Sequence, residues 1–158
     1  MEIKVPVNST LPECRTGRQN IMTRNITRDE YIKYRFDRAW KTYEDAKYLA
    51  AGNCWNSSMN RLYYACFYAI LALFSKYSIS SHKHAGTKTQ FSLHFIKTGL
   101  LHKEFGKLYG DLFDLRQKGD YLDFIELEEK NVVPFIPKVE KFLKQVELMV
   151  KNGTRTLD

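Results

Sequence analysis

The chain has 158 residues, of which 44% are hydrophobic and 14% aromatic, and its formal net charge is +7. This length and composition favour one packed domain and exclude a disordered chain. The positive charge is compatible with an RNA or an acidic protein partner, but it forms no concentrated basic stripe that would identify a nucleic-acid-binding protein.

The first residues contain no apolar core of the length found in signal peptides. The longest apolar run, residues 65–74, is about half of what a membrane-spanning helix needs. The three cysteines, Cys14, Cys54 and Cys66, lack the spacing of metal ligands. We therefore expect a soluble cytoplasmic protein with no membrane contact, no metal and no cofactor.

Residues 1–26 contain prolines and scattered polar residues without periodicity, which predicts an extended, flexible N-terminal arm. Thr27 and Glu30 have the spacing of a capping box, so a helix is predicted from there to about residue 51, before Gly52. Its apolar positions recur at helical spacing and predict a buried face: Ile32, Phe36, Ala39, Tyr43, Ala46 and Leu49 or Ala50.

Four further helices are predicted. The second, residues 55–77, is apolar nearly all round and should be the most buried. The third covers residues 84–98 before Gly99, and the fourth covers residues 103–118 and ends at Gly119. The last begins between Glu129 and Val133 and ends near Lys151, and its predicted buried face is Phe135, Val139, Phe142, Leu143, Val146 and Met149 or Val150.

No segment alternates long enough to predict a strand. The predicted fold is an all-α bundle of about five helices over residues 27–151, with an arm at 1–26 and a tail at 152–158.

Three blocks of sequence carry a family resemblance: residues 60–69 (NRLYYACFYA), 91–99 (FSLHFIKTG) and 115–121 (LRQKGDY). Together they resemble the HEPN superfamily, and more narrowly its small stand-alone members with a tyrosine-tyrosine-alanine helix and an arginine…aspartate-tyrosine turn. The match covers roughly residues 30–150. The resemblance implies a helical bundle that commonly forms a dimer. It also implies a setting beside a nucleotidyltransferase partner or in a toxin–antitoxin pair.

Active members of that superfamily are metal-independent ribonucleases with an arginine, four to six further residues and then a histidine. Arg116 matches the arginine, but Tyr121, Leu122 and Asp123 occupy the positions open to the histidine. Metal-free RNA cleavage needs a base for the 2′-hydroxyl and a cation for the charged phosphorane. A phenol is a poor base at neutral pH, and the carboxylate of Asp120 is repelled by the phosphate. Any catalysis would fall to Arg116, Asp120 and Tyr121.

Two interpretations of these residues stay open. Asp120 lies four residues after Arg116, so the two can form an intrahelical ion pair. Arg61, on the predicted central helix, needs a partner such as Asp120 or Asp45. Alternatively, four residues line a polar pocket for a phosphate or nucleotide: Arg61, Tyr64, Arg116 and Tyr121.

The histidines His82, His84, His94 and His102 lack acidic or thiol neighbours at ligand spacing, which disfavours a metal site. His84 could still act as a displaced base if its loop folds over Arg116. An acidic segment after Arg116 (Asp120, Asp123, Glu126, Glu128 and Glu129) works against nucleic acid docking there. The basic residues near the N-terminus are the better candidates for phosphate contacts: Arg15, Arg18, Arg24 and Arg28.

The resemblance and the absent histidine together favour a non-enzymatic binding module. It would be dimeric, because the aromatic-rich fourth helix should expose an apolar patch. It would act with a nucleotidyltransferase-type partner or bind nucleotide or RNA, in a toxin–antitoxin-like setting. The alternatives are a metal-independent endoribonuclease toxin using Arg116 with an atypical base, and a purely structural homodimeric scaffold.

Overall fold

The computed structural model describes residues 25–80 and 84–152, which form helices without a single strand. The prediction of an all-α bundle is confirmed. The predicted arm lies almost entirely outside the described residues, as does nearly all of the predicted tail. The elements in chain order are α1 Arg28–Ala51, α2 Trp55–Lys76, α3 His84–Phe91 with a π-helical turn Ser92–Ile96, α4 Lys103–Tyr121, α5 Glu129–Val132 and α6 Phe135–Asn152.

Helices α1 and α2 form an antiparallel hairpin joined by a short turn. The capping box predicted at the start of α1 is present. The Thr27 hydroxyl accepts from the Glu30 amide at 3.2 Å, and the Glu30 carboxylate accepts from the Thr27 amide at 2.9 Å. Near the turn, the buried Ser58 hydroxyl donates to the Ala46 carbonyl at 2.8 Å, so the two helices are also joined by a hydrogen bond.

Helix α2 is the centre of the bundle, as its apolar character predicts. It contacts each of the other five α-helices, and half of its residues are fully or almost fully buried. The buried faces of α1 and α6 also follow their predicted spacing, and Ala50 rather than Leu49 completes the first. No helix among the described residues is long and apolar enough to cross a bilayer.

The third predicted helix is helical over its expected length but is not one regular α-helix. After Phe91 it widens into the π-helical turn, which keeps both Phe91 and Phe95 in the core with their ring centroids 6.0 Å apart. The apolar spacing of residues 84–98 is compatible with both an α-helix and a π-helical turn, so the sequence did not predict the π turn. Gly99 has φ +75°, so the predicted left-handed stop at this glycine is confirmed.

The predicted end of the fourth helix at Gly119 is wrong, because α4 continues to Tyr121. A Cβ at Gly119 would make only ordinary contacts, 3.5 Å from both Asn56 and Leu127. Gly119 lies inside the last turn of α4 and does not end the helix. As a result, Asp120 and Tyr121 share the helix of Arg116.

The last predicted helix is divided in two. The short α5 ends at Val132, and a turn containing Pro134 precedes α6, whose first turn holds Pro137. Both prolines occupy positions where the missing N–H costs nothing, since the first amides of a helix have no intrahelical acceptor.

Candidate functional site

Arg116 is a buried cation at the interface of α4 and α2. Its side chain is 6% exposed, and its guanidinium carbon lies 4.6 Å from the centroid of the Tyr63 ring. The rings of Tyr64, Phe113 and Tyr121 lie 5.7 to 5.8 Å away. The negative faces of aromatic rings attract a cation, so these rings stabilise the charge of Arg116. The predicted intrahelical ion pair with Asp120 is present, with the charged atoms 3.8 Å apart.

The hydrogen-bonding capacity of Arg116 is incompletely used. Its Nη1 lies 3.8 Å from Oδ2 of Asp120, which is too long for a good hydrogen bond, and its buried Nε has no hydrogen-bond partner. Buried polar atoms are nearly always satisfied, and guanidinium groups form their strongest bonds with anions. The Nε–H of Arg116 is therefore a donor that an anionic acceptor could satisfy.

Asn60 connects the charged residues of α2 and α4. Its Nδ2 donates to Oδ2 of Asp120 at 2.8 Å, and its Oδ1 accepts from Nη2 of Arg61 at 2.6 Å. The structure therefore differs from the expectation that Asp120 or Asp45 would be the partner of Arg61. The side-chain amide of Asn60 binds both charged groups: its oxygen accepts from Arg61, and its nitrogen donates to Asp120.

His84 is brought to the same place from the start of α3. Its Nδ1 lies 3.0 Å from the hydroxyl of Tyr63, and its ring stacks on Phe67 with centroids 4.5 Å apart. Burial, and then the positive charge of Arg116, lower the pKa of His84 below its usual value. The imidazole is therefore neutral at pH 7 and able to accept a proton.

Tyr63 is the residue that His84 and Arg116 share. Its hydroxyl also accepts a hydrogen bond from the hydroxyl of Tyr109 at 3.2 Å. Burial raises the pKa of both phenols, so neither is ionised at neutral pH. These contacts define what we call the Arg116 cluster, which comprises Asn60, Tyr63, Tyr64, His84, Arg116 and Asp120.

The four residues predicted to bind a ligand come together around this cluster. Tyr64 lies between two guanidinium groups, 5.4 Å from that of Arg61 and 5.8 Å from that of Arg116. Tyr121 is 71% exposed at the end of α4, where it forms the solvent side of Arg116. Sequence reasoning assigned no role to Asn60 or Tyr63, although both stand in the block NRLYY that carried the resemblance.

The segment after α4 exposes apolar side chains beside the cluster. Phe124 is fully exposed with φ +64°, and three of its neighbours are exposed as well: Tyr121, Leu122 and Ile125. Asn56 anchors this segment to α2, since its Oδ1 accepts from the Leu127 amide at 2.8 Å and its Nδ2 lies 3.3 Å from the carbonyls of Gly119 and Ile125. The apolar patch expected on the fourth helix thus lies mainly just beyond its end.

The remaining candidates lie apart from the cluster or outside the described residues. His94 bonds Gln90, and His102 accepts from the Glu104 amide at the start of α4. Across residues 25–80 and 84–152, no three His, Cys, Asp or Glu side chains converge as a metal site requires. His82 and the basic residues Arg15, Arg18 and Arg24 lie outside the described residues.

The chain matches a known protein family and several proteins that resemble it over most of its length. The family model for the HEPN domain matches residues 32–149. A UPF0332 protein of Thermotoga maritima is 38% identical over 128 residues, covering 81% of this chain and 97% of the relative. Two Methanocaldococcus jannaschii proteins, each with a provisional toxin name, are 29% and 27% identical. They cover 73% and 74% of this chain, and 80% and 92% of their own lengths.

Proposed function

This chain belongs to the HEPN domain family, and from that premise we propose that it is a cytoplasmic binding module of a toxin–antitoxin-like pair. In this role Arg116 holds a phosphate group of a nucleotide or an RNA. The toxin names of two relatives support the biological setting. The unpaired Nε of the buried Arg116 supports the binding of a phosphate group.

The observation that carries the proposal is the buried Nε of Arg116 without a hydrogen-bond partner. A phosphate offers several strong acceptor oxygens, and a guanidinium binds such groups through two parallel N–H bonds. The carboxylate of Asp120 is 3.8 Å away and is also held by Asn60, so it leaves N–H groups of Arg116 available. Among the rings around Arg116, that of Tyr121 is the most exposed.

The direct test is calorimetric titration with AMP, ATP and a short RNA. Arg116→Met removes the cation and keeps an apolar chain of similar length, so it is expected to abolish binding. Lys118→Met removes one charge from the exposed surface of the same helix and is the matched control, with an expected change of less than about twofold. If nothing binds the wild type below millimolar concentration, the module is a structural scaffold and the proposal fails.

The proposed partners are a second copy of this chain and a nucleotidyltransferase-type protein. The exposed apolar residues after α4, with Phe124 at their centre, support the first. Light scattering at micromolar concentration should give the mass of a dimer, and Phe124→Ser should lower it. A monomeric wild type would exclude the homodimer.

A stable complex on co-expression with such a nucleotidyltransferase would support the second partner, and the absence of a complex would exclude this partner.

One observation favours a second candidate function, a metal-independent endoribonuclease. The structure brings His84 to Tyr63, the residue that also contacts Arg116, and His84 can act as the displaced base. In the tautomer whose Nδ1–H is donated to Tyr63, the unprotonated Nε2 would remove the proton of a 2′-hydroxyl. The 2′-oxygen then attacks phosphorus, Arg116 stabilises the added negative charge, and the 5′-oxygen leaves with a proton from water.

Incubation of the purified protein with RNA in EDTA separates the two functions. Cleavage that is lost in both Arg116→Ala and His84→Ala, but retained in His102→Asn, would establish the ribonuclease. Binding without cleavage in the wild type would leave the module non-enzymatic.

A further inference from the structure

We infer that an arginine–tyrosine ladder on the α1–α2 hairpin binds single-stranded RNA. The ladder is the set of side chains Tyr31, Tyr34, Arg35, Arg38 and Tyr68. The inference rests on the proposed function, since it names single-stranded RNA as the ligand whose backbone continues from the ladder to Arg116.

Arg35 is held among three tyrosine rings. Its guanidinium carbon lies 4.9 Å from the ring centroid of Tyr31, 5.8 Å from that of Tyr68 and 5.9 Å from that of Tyr34. Its Nε donates to the Tyr31 hydroxyl at 2.8 Å. The guanidinium is thereby fixed in place, while its two terminal nitrogens remain available to a ligand.

Arg38 repeats this arrangement one turn later. Its guanidinium carbon lies 4.5 Å from the Tyr68 ring centroid, and its Nη1 donates to the hydroxyl of Tyr34 at 3.1 Å. Within the part of the chain that the structure describes, no carboxylate forms an ion pair with Arg35 or Arg38. Asp37, between them in sequence, is bound by Lys33 at 2.7 Å instead. Among the described residues, the ladder thus carries two cations that no carboxylate pairs.

The ladder is continuous with the Arg116 cluster. The ring of Tyr68 contacts that of Tyr64 with centroids 5.9 Å apart, and Tyr64 in turn lies 5.8 Å from the guanidinium of Arg116 and 5.4 Å from that of Arg61. A continuous series of ring and guanidinium contacts therefore runs from Arg38 on α1 through Tyr68 and Tyr64 on α2 to Arg116 on α4.

Alternating cations and rings fit a single strand of RNA better than other polyanions. Unstacked bases can stack on tyrosine rings and guanidinium planes while phosphates bind the free N–H groups. Tyr34 is 54% exposed and offers such a surface. A duplex keeps its bases stacked internally and would use only the charges. An acidic peptide has no flat rings to place on the tyrosines.

The test is fluorescence anisotropy with a labelled 12-nucleotide RNA of mixed sequence. The double variant Arg35→Ala/Arg38→Ala is expected to weaken binding at least tenfold and to reduce the slope of log K against log salt by about 1.4, since each phosphate contact on a single strand contributes about 0.7. Lys97→Ala/Lys103→Ala removes two exposed charges elsewhere and is the matched control. It should change affinity less than threefold. Circular dichroism of each variant verifies the fold.

Two further measurements test whether the planar guanidinium groups and the tyrosine rings contribute to RNA binding beyond charge alone. Arg35→Lys/Arg38→Lys keeps the charge but loses the planar fork, and it should recover less than half of the lost binding free energy. Unlabelled duplex RNA and poly-glutamate should compete at least tenfold less well than unlabelled single strands. Equal competition by either would overturn the inference.

The outcomes separate the ladder from the Arg116 site. If Arg116→Met abolishes RNA binding while the double alanine variant binds normally, the ladder is refuted and the proposed function stands. If the alanine variant loses binding and Arg116→Met does not, the ladder stands without the phosphate site. If the wild type binds no RNA, the ladder is refuted whatever the nucleotide titrations give.

Discussion

The hydroxyl of Tyr63 on α2 lies 3.0 Å from Nδ1 of His84 at the first residue of α3. The same hydroxyl accepts from Tyr109 on α4, and the rings of Tyr63 and Tyr109 are stacked with centroids 5.5 Å apart. One buried oxygen therefore links three helices. It also fixes the imidazole relative to Arg116, so the stability of the bundle and the geometry of the site depend on the same atom.

Removal of the Tyr63 hydroxyl should destabilise the fold measurably. Tyr63→Phe leaves the buried Tyr109 hydroxyl without an acceptor, which costs about 1 to 3 kcal/mol in the free energy of unfolding. Tyr109→Phe removes only the donor and should cost about 1 kcal/mol. Urea denaturation measures both. The double variant should cost less than the two single changes together, and strict additivity would refute the link.

The stability of the protein should fall as the pH drops below 6.5. The pKa of His84 is lowered from 6.5 in the folded state, so protonation favours the unfolded chain. This contribution is fully present above pH 6.5 and declines as the pH falls below it. The lowered pKa values of Glu104 and Glu140 act in the same direction, but only below 4.5. Thermal unfolding of His84→Gln should show a flatter pH profile, and His102→Asn should follow the wild type. A wild-type profile in His84→Gln would refute the assignment.

Asp120→Asn should strengthen anion binding at Arg116. The carboxylate oxygen lies 3.8 Å from Nη1 of Arg116 and repels an incoming phosphate. Its removal is expected to gain at least about 1 kcal/mol, roughly fivefold in affinity, since unit charges about 4 Å apart interact by about 1 kcal/mol in water and by more in a partly buried site. Asp123→Asn is the control, since Asp123 is exposed beyond the helix. Phosphate or AMP titration measures both, and weaker binding by Asp120→Asn would show that the carboxylate positions the arginine.

Asn56→Ala should release the segment between α4 and α5. The side chain bonds the backbone of Gly119, Ile125 and Leu127, and its removal breaks all three hydrogen bonds. The expected cost is about 2 to 3 kcal/mol of unfolding free energy. Faster hydrogen exchange at Leu127 should accompany it. Ser57→Ala, an exposed neighbour, should leave both quantities unchanged. Full protection of Leu127 in Asn56→Ala would contradict the role of the side chain.

Local sequence patterns predicted which segments form helices. They could not predict boundaries that involve contacts between residues distant in sequence. The start of α1 depends on Thr27 and Glu30, three residues apart, and it is visible in the sequence. The sequence around Gly119 predicted the wrong boundary for α4, and the Asn56 side chain that bonds the Gly119 carbonyl lies 63 residues earlier in the chain, beyond the reach of a local pattern.

The candidate site shows the same division. Arg116 was identified because the family resemblance includes it. The bridging role of Asn60 depends on how α2 meets α4, and the place of His84 depends on how α3 returns to α2. Periodicity and spacing carry neither piece of information. The displaced histidine could only be formulated as a hypothesis until three helices were placed together.

The π-helical turn Ser92–Ile96 has a consequence for length variation along the chain. A π turn accommodates one residue more than the α-helical turn it replaces. Deletion of a single residue there should convert it to an α-helical turn that continues α3, and the non-helical residues 97–102 can absorb the shift before α4 begins. In α2, the same deletion would rotate everything downstream by about 100° and turn its buried side outward. Single-residue deletions among natural relatives should therefore occur in the π turn and be rare in α2.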